Sequence, residues 1–415
     1  MDRQIALEIL LQYRQEKTYL NLALNAAFQK NRFTQEQKNL ITHLVYGTVQ
    51  NQIYLEYMLE PFLKIRVKAY EKTLLLMSMY QHHFLNSIPD YAIVNESVQL
   101  AKVKKGKKTA DFINAVLKQA FVSTRSLDNL SNEERLSIET SHPQWMVKMF
   151  IKQYGFETTQ KICYADNEIP YKTARINTLK TTKTDLLKDE LFELGKLSQD
   201  CLYYHGGNIA NTEYFEKGFV TIQDESSQMI APLLNPQPGE YILDMCCAPG
   251  SKTSHVAALM KNQGIIDAFD LYEHKIPLVE NQMKRLGVQI VNVRAYDSTK
   301  LLELYPEKTF DKILLDGPCS GLGVLARKPE IKYHDSTAMD EIIQIQEKLL
   351  ENAYALLKNG GNMVYSTCTI NKKENEKQIA AFLKKYSDMK ILNERTILPY
   401  EYHSDGFYMC LLEKE

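Results

Sequence analysis

From Tyr241 onward the chain alternates short apolar runs with helical stretches, and this limits the possible fold more than any other feature. The runs are Tyr241–Met245, Ile265–Asp270, Gln289–Arg294, Lys312–Leu315 and Met363–Tyr365. Short, mostly apolar runs suit strands buried on both faces, and strands separated by helices are joined by crossovers. The predicted fold class is therefore α/β, with a parallel, doubly wound, Rossmann-like sheet. Such sheets bind ligands outside the carboxyl ends of their strands, so the residues just after each run are candidate site residues. Two of them are cysteines. Cys319 lies in Leu315-Asp316-Gly317-Pro318-Cys319-Ser320-Gly321, and Cys368 in Tyr365-Ser366-Thr367-Cys368-Thr369.

The first run hands over to a helix through Asp244-Met245-Cys246-Cys247-Ala248-Pro249-Gly250-Ser251-Lys252-Thr253. Gly250 stands where doubly wound folds hold a cofactor. The turn has no G-x-G-x-x-G, which argues against a pyrophosphate cradle and hence a nicotinamide or flavin. It fails as a P-loop because Ser251 separates Gly250 from Lys252. Asp270 ends the second strand, Asp297 follows the third, and Asp316 ends the fourth. Three carboxylates in register suit a cofactor with a ribose, an exocyclic amine and a positive charge. S-adenosylmethionine has all three and carries no phosphate. Each Asp taken alone could simply cap a helix.

A buried cysteine is usually an inert apolar residue, and that reading serves for Cys163, Cys201 and Cys410, with Cys246 and Cys247 close behind. Cys319 and Cys368 differ because both sit on the cofactor side of the sheet. Two thiols there suit covalent catalysis on an electron-poor ring. Cytosine C5 is a poor nucleophile until a thiolate adds to C6 and turns the ring into an enamine. A carboxyl such as Asp316 would assist that addition at N3. A second thiol would assist release.

The preceding 240 residues have another character. Residues 3–121 read as a bundle of amphipathic helices. Thr34-Gln35-Glu36-Gln37 is a capping-box start, Pro61 ends or kinks that helix, Ala69 to Leu85 forms a second, and Asp90 caps a third. Leu127–Glu134 is a polar linker, followed by a small α/β module to about residue 220. That module has helices near Trp145–Tyr154 and Thr184–Leu194 and a strand at Ala174–Thr178. The expected domains are thus 1–130, 131–220 and 221–415, and 415 residues are enough for two or three cores. The formal net charge of −1 conceals a basic head, because residues 1–130 carry 17 Lys and Arg against 11 Asp and Glu. Five lysines crowd into residues 102–108, a polyanion-binding cluster or a solvated loop. Seven dispersed cysteines fit reduced thiols in a cytoplasm. No spacing suggests a metal, and no stretch is long and apolar enough to span a membrane.

Taken together, these segments resemble the RNA cytosine-C5 methyltransferases of the RsmB/Sun group within the NOL1/NOP2/Sun family. The match lies in Gln223–Gln228, Leu243–Thr253, Phe310–Gly323, Arg327–Tyr333, Leu357–Glu376 and Asp405–Tyr408, with Arg175-Ile176-Asn177-Thr178 in the preceding module. Residues 3–121 resemble a NusB-type RNA-binding domain, which points to 16S ribosomal RNA as substrate. The resemblance implies Cys368 as the nucleophile on C6, Cys319 as the thiol assisting release, and Asp316 beside the methionine end and the target base. It implies Cys246, Cys247, Ala248, Pro249, Gly250, Ser251 and Lys252 as the methionine-side loop of S-adenosylmethionine, Asp270 as the ribose ligand and Asp297 as the adenine-side ligand. Arg175, Asn177, Lys104, Lys105, Lys107 and Lys108 are the expected RNA contacts, to phosphates rather than bases. The expected partner is 16S ribosomal RNA, naked or in an early small-subunit particle, for a monomeric enzyme with no membrane partner. Cys247, Ser251 and Gly317 depart from the family's usual Ala, Gly and Ala, and Lys372 and Lys373 replace its Pro and Glu. A DNA cytosine methylase, with Cys319 as nucleophile, is one rival reading, and a non-catalytic RNA-binding factor is another.

Overall fold

The computed structural model describes residues 1–415 except Lys17, Ile65 and Ser336, and all but the side chain of Ala338. The chain divides into two compact units, residues 1–167 with 328–334, and residues 168–327 with 335–415.

The first unit is helical: α1 (Asp2–Glu16), α2 (Leu20–Lys30), α3 (Gln35–Gln50), α4 (Gln52–Leu59), α5 (Ala69–Phe84), α6 (Asp90–Lys105), α7 (Lys107–Ala120), α8 (Asn132–Glu139), α9 (Gln144–Tyr154) and α10 (Phe156–Ala165). Its core gathers Leu7, Leu10, Leu44, Val45, Leu74, Met77, Ile113 and Leu117, from the apolar stripes of α1, α3, α5 and α7. Thr34 and Gln37 form the expected capping box. Pro61 does not end that helix, because α3 stops at Gln50 and Pro61 lies in a 3-10 turn after α4. Asp90 is no cap either. Pro89 holds that position, and Asp90 Oδ1 sits 2.7 Å from His82 Nδ1. The chain re-enters this unit at Lys328–His334. There Lys332 is fully buried and donates to Asn167 Oδ1 (2.8 Å), while Tyr333 Oη donates to the Val49 carbonyl (3.0 Å). Burial pulls the Lys332 ammonium down to about 8.

The second unit holds two sheets. The smaller is antiparallel, in the order β2 (Phe192–Leu194), β3 (Cys201–Tyr204), β1 (Thr173–Ile176), β4 (Val220–Ile222). The helix expected over Thr184–Leu194 is only Lys183–Leu186, because residues 192–194 pair with β3 instead. The larger sheet has seven strands: β5 (Tyr241–Asp244), β6 (Ile265–Asp270), β7 (Val291–Ala295), β8 (Phe310–Asp316), β9 (Leu357–Thr367), β10 (Met389–Ile397) and β11 (Phe407–Lys414). Their order is β10-β11-β9-β8-β5-β6-β7. The five strands expected from the alternation are parallel to one another. β11 adds antiparallel to β9 and β10 to β11, a pair the alternation did not announce. The chain runs outward through β5, β6 and β7, then returns to β8 and β9 on the other side of β5. The topological switch therefore falls between β5 and β8, where open α/β sheets form their binding crevice.

Candidate active site

Cys319 and Cys368 come together because β8 and β9 are adjacent and in register, with Asp316 opposite Ser366. Cys368 directly follows β9, and Cys319 lies three residues beyond β8. Their sulphurs are 3.2 Å apart, neither is in a disulfide, and each cysteine is half-buried. The two loops close tightly over one another. Gly323 N–H donates to the Cys368 carbonyl (3.0 Å) and Gly406 N–H to the Gly323 carbonyl (2.7 Å). A Cβ on Gly323 would fall 1.9 Å from the Gly406 carbonyl oxygen, so only glycine permits this approach.

Beside the thiols lies a charged pair. Lys252 Nζ donates to Asp316 Oδ2 (2.7 Å), and Ser366 Oγ donates to Asp316 Oδ1 (2.8 Å). Burial pulls the Lys252 ammonium down, but Asp316, with Cys368 and Asp244 behind it, outweighs that and leaves it raised. The two thiols therefore differ in surroundings. Cys368 faces the field of a lysine. Cys319 faces the Glu374 carboxylate, and its hydrogen bond with Cys368 together with burial pushes its thiol well up. Both Asp316 oxygens act as acceptors here, so the donor nearest the site is Lys252, which the sequence assigned only to the cofactor loop.

The turn after β5 is shaped as expected. Gly250 has φ +97° and precedes the helix Ser251–Leu259. A Cβ there would come within 2.8 Å of Met283 Cε. The Ala248–Pro249 peptide is cis, and the Gly250 N–H donates to the Cys247 carbonyl (2.6 Å). Cys247 is buried and Cys246 half-buried. Asp244, not singled out from sequence, anchors the turn by accepting from Thr253 Oγ1 (2.6 Å) and the Cys246 N–H (3.3 Å). Burial raises its carboxyl to about 7. Asp270 ends β6, nearly buried, accepting from the Tyr272 N–H (3.1 Å) with Lys275 Nζ at 3.2 Å. Asp297 is half-exposed and caps the 3-10 turn Ser298–Glu303 through Thr299.

The expected RNA residues separate into two kinds. Lys104, Lys105, Lys107 and Lys108 are exposed around Gly106, at the junction of α6 and α7 rather than in a loop. Arg175 and Asn177 are buried. Arg175 is 1% exposed, and its guanidinium donates to Gln223 Oε1 (2.7 Å), Ser254 Oγ (3.0 Å) and the Ser251 carbonyl. Asn177 is 2% exposed and donates to the Gly218 and Leu286 carbonyls, both at 2.8 Å. These bonds hold the small sheet against the helix Ser251–Leu259 and its neighbours, while Arg175 Nε is buried without a hydrogen-bond partner. Among the described residues no group of His, Cys, Asp and Glu is arranged to hold a metal, and no helix is long and apolar enough to cross a membrane.

A seven-stranded sheet of this order, with a glycine turn after its first strand and carboxylates on the next two strand ends, defines a Rossmann-like methyltransferase domain. The chain belongs to the RsmB/F family of 16S rRNA methyltransferases. The family model described as 16S rRNA methyltransferase RsmB/F matches residues 231–413, that of the NusB family residues 1–121, and the RsmF/B-like ferredoxin-like domain residues 142–196. The probable ribosomal RNA small subunit methyltransferase B of Bacillus subtilis is 39% identical, over 100% of this chain and 98% of the relative. The ribosomal RNA small subunit methyltransferase B of Proteus mirabilis is 31% identical, over 93% and 92%. A crystal structure of a methyltransferase homolog protein from Pyrococcus horikoshii is 29% identical with TM-score 0.62, over 69% of this chain and all of that one. The crystal structure of PH0851 shares the fold over 100% of this chain and 99% of its own, with TM-score 0.85 at 24% identity.

Proposed function

We propose that this enzyme methylates C5 of one cytosine in 16S ribosomal RNA, using S-adenosylmethionine and a covalent adduct between Cys368 and cytosine C6. One observation carries the reading. Two reduced sulphurs stand 3.2 Å apart at neighbouring strand ends, beside a Lys252–Asp316 pair. O- or N-methylation needs no thiol, whereas C5 methylation needs one to activate the ring.

The residues fit the cofactor. The Gly250 turn brings backbone close without a side chain, and the Asp270 carboxylate stands at the strand end suited to a ribose diol. Residues 246–252 would hold the methionine part, and Asp297 the adenine side. When bound, S-adenosylmethionine supplies the methyl group. Cys368, favoured as thiolate by the Lys252 field, forms the bond to C6, and the electron pair moves to C5. Lys252 and Asp316 orient the base at its N3/N4 edge and offset the charge that builds there. Once C5 carries the methyl group, its proton passes to solvent water, the C5–H electron pair re-forms the C5=C6 double bond, and the C6–S bond breaks. Cys319, held protonated 3.2 Å away, protonates the departing Cys368 sulphur.

RNA is held by the lysines at the α6–α7 junction, within the three-part organisation 1–130, 131–220 and 221–415. The test uses unmodified 16S ribosomal RNA with methyl-labelled S-adenosylmethionine, followed by nucleoside analysis. Label in 5-methylcytidine is the expected result. Label on a ribose, or on a base nitrogen, would refute the reading.

A further inference from the structure

Glu374 lies in the loop after β9 and is fully buried, yet no ion pair involves it among the described residues. Four neutral donors surround its carboxylate. Oε1 accepts from Ser320 Oγ (2.6 Å) and Asn371 Nδ2 (3.0 Å), and Oε2 from Ser320 N–H (2.8 Å) and Gln346 Nε2 (3.3 Å). Those donors come from three separate segments: the turn bearing Cys319, the loop after Cys368, and the helix Ala338–Leu356. Gln346 also donates to the Pro318 carbonyl (2.9 Å), and Tyr365 Oη to the Glu374 carbonyl (2.7 Å). A carboxylate buried without a cation is costly unless every lone pair is used. Neutral side chains could have joined the two loops at lower cost, so the charge itself calls for an explanation.

We propose that Glu374 is the positioning residue of the thiol pair. Its carboxylate clamps the Pro318–Ser320 turn onto the loop after β9 and fixes Cys319 as the hydrogen-bond donor to Cys368. This rests on the covalent reading above, in which one thiol attacks and the other assists release. The clamp sets the 3.2 Å separation through Ser320, the immediate neighbour of Cys319. Its negative charge also disfavours a second thiolate beside Cys368, which keeps the proton on Cys319. The groups facing Cys319 are Cys368, Glu374 and the Tyr365 hydroxyl, with the Lys252–Asp316 pair beyond Cys368.

Glu374→Gln keeps the shape, removes the charge and turns one acceptor into a donor facing Ser320. Iodoacetamide alkylation of the full chain, read by peptide mass spectrometry at low conversion, reports thiolate at each cysteine. In Glu374→Gln, Cys319 should alkylate about tenfold faster at fixed pH, with its profile displaced about one unit toward lower pH. With RNA and cofactor, the variant should also retain more denaturant-stable adduct than wild type, as Cys319→Ala does. If Cys319→Ala accumulates no adduct, the release reading fails, and the alkylation profile still decides the role of Glu374. A Cys319 profile superimposable on wild type in folded Glu374→Gln would overturn the proposal. Should that variant not fold, Ser320→Ala removes only the hydroxyl donor. The charge stays, but the loosened clamp should weaken the Cys319–Cys368 hydrogen bond and so shift the Cys319 profile the same way by a smaller amount, and an unshifted profile there would be equally fatal.

Discussion

Two basic regions carry the same sequence signature for RNA and have opposite surroundings. At the α6–α7 junction four lysines are exposed around Gly106, with room for a polyanion. In β1 the guanidinium of Arg175 is buried and committed to Gln223, Ser251 and Ser254, and Asn177 to two carbonyls. A positive side chain beside a binding module is thus not evidence of contact. Its burial decides whether the charge recognises a ligand or organises the protein. Arg175 organises: it joins the small sheet to the first turn of the helix that follows the cofactor loop, and Ser251 and Ser254 lie in that turn.

The largest effect expected from this contrast is at Arg175. Arg175→Ala removes hydrogen bonds from a charged donor and leaves buried acceptors unpaired, a loss of about 3 kcal/mol or more in stability. Urea unfolding should show it, together with weakened cofactor binding. If the variant unfolded like wild type and only RNA affinity fell, Arg175 would be an RNA ligand after all.

The lysines should behave in the reverse way. Replacing Lys104, Lys105, Lys107 and Lys108 with Gln should leave the unfolding midpoint unchanged and flatten the salt dependence of RNA binding. The log–log slope should fall by up to about 0.7–0.9 for each lysine that held a phosphate. An identical slope would show a merely solvated surface.

The smallest effect concerns Asp244, buried like Arg175 but opposite in charge. Its folded carboxyl is raised to about 7, above its unfolded value. The folded state therefore holds that proton more tightly, and its contribution is complete below about pH 4 and declines as pH rises toward 7. Asp244→Asn should abolish this part of the pH dependence, read as a wild-type-minus-variant difference in unfolding free energy between about pH 4 and 7. A constant difference across that range would show that Asp244 stays ionised.

What the sequence made legible followed from local pattern. The parallel strands, the Gly250 turn, the Thr34 capping box and the strand-end positions of Cys319, Cys368, Asp270 and Asp316 all rest on short-range periodicity and turn chemistry. β10 escaped because it is an edge strand whose residues 390–394 are all exposed, so it shows no buried alternation. Residues 192–194 escaped because their pairing partner, not their own propensity, makes them a strand. The polar partners of the site were out of reach for a different reason. Lys252 meets Asp316 across 64 residues and Glu374 meets Ser320 across 54, contacts that exist only once β5, β8 and β9 lie side by side. The burial of Arg175 left no trace in the sequence, where only its charge could be read.

The central claim is the division of labour between the two thiols, and trapping on denaturing gels with labelled RNA and cofactor tests it most directly. Cys368→Ala should give neither 5-methylcytosine nor any covalent protein–RNA complex. Cys319→Ala should still attack but fail to let go, so that a denaturant-stable adduct accumulates. An adduct that persists in Cys368→Ala and vanishes in Cys319→Ala would contradict the account and make Cys319 the nucleophile.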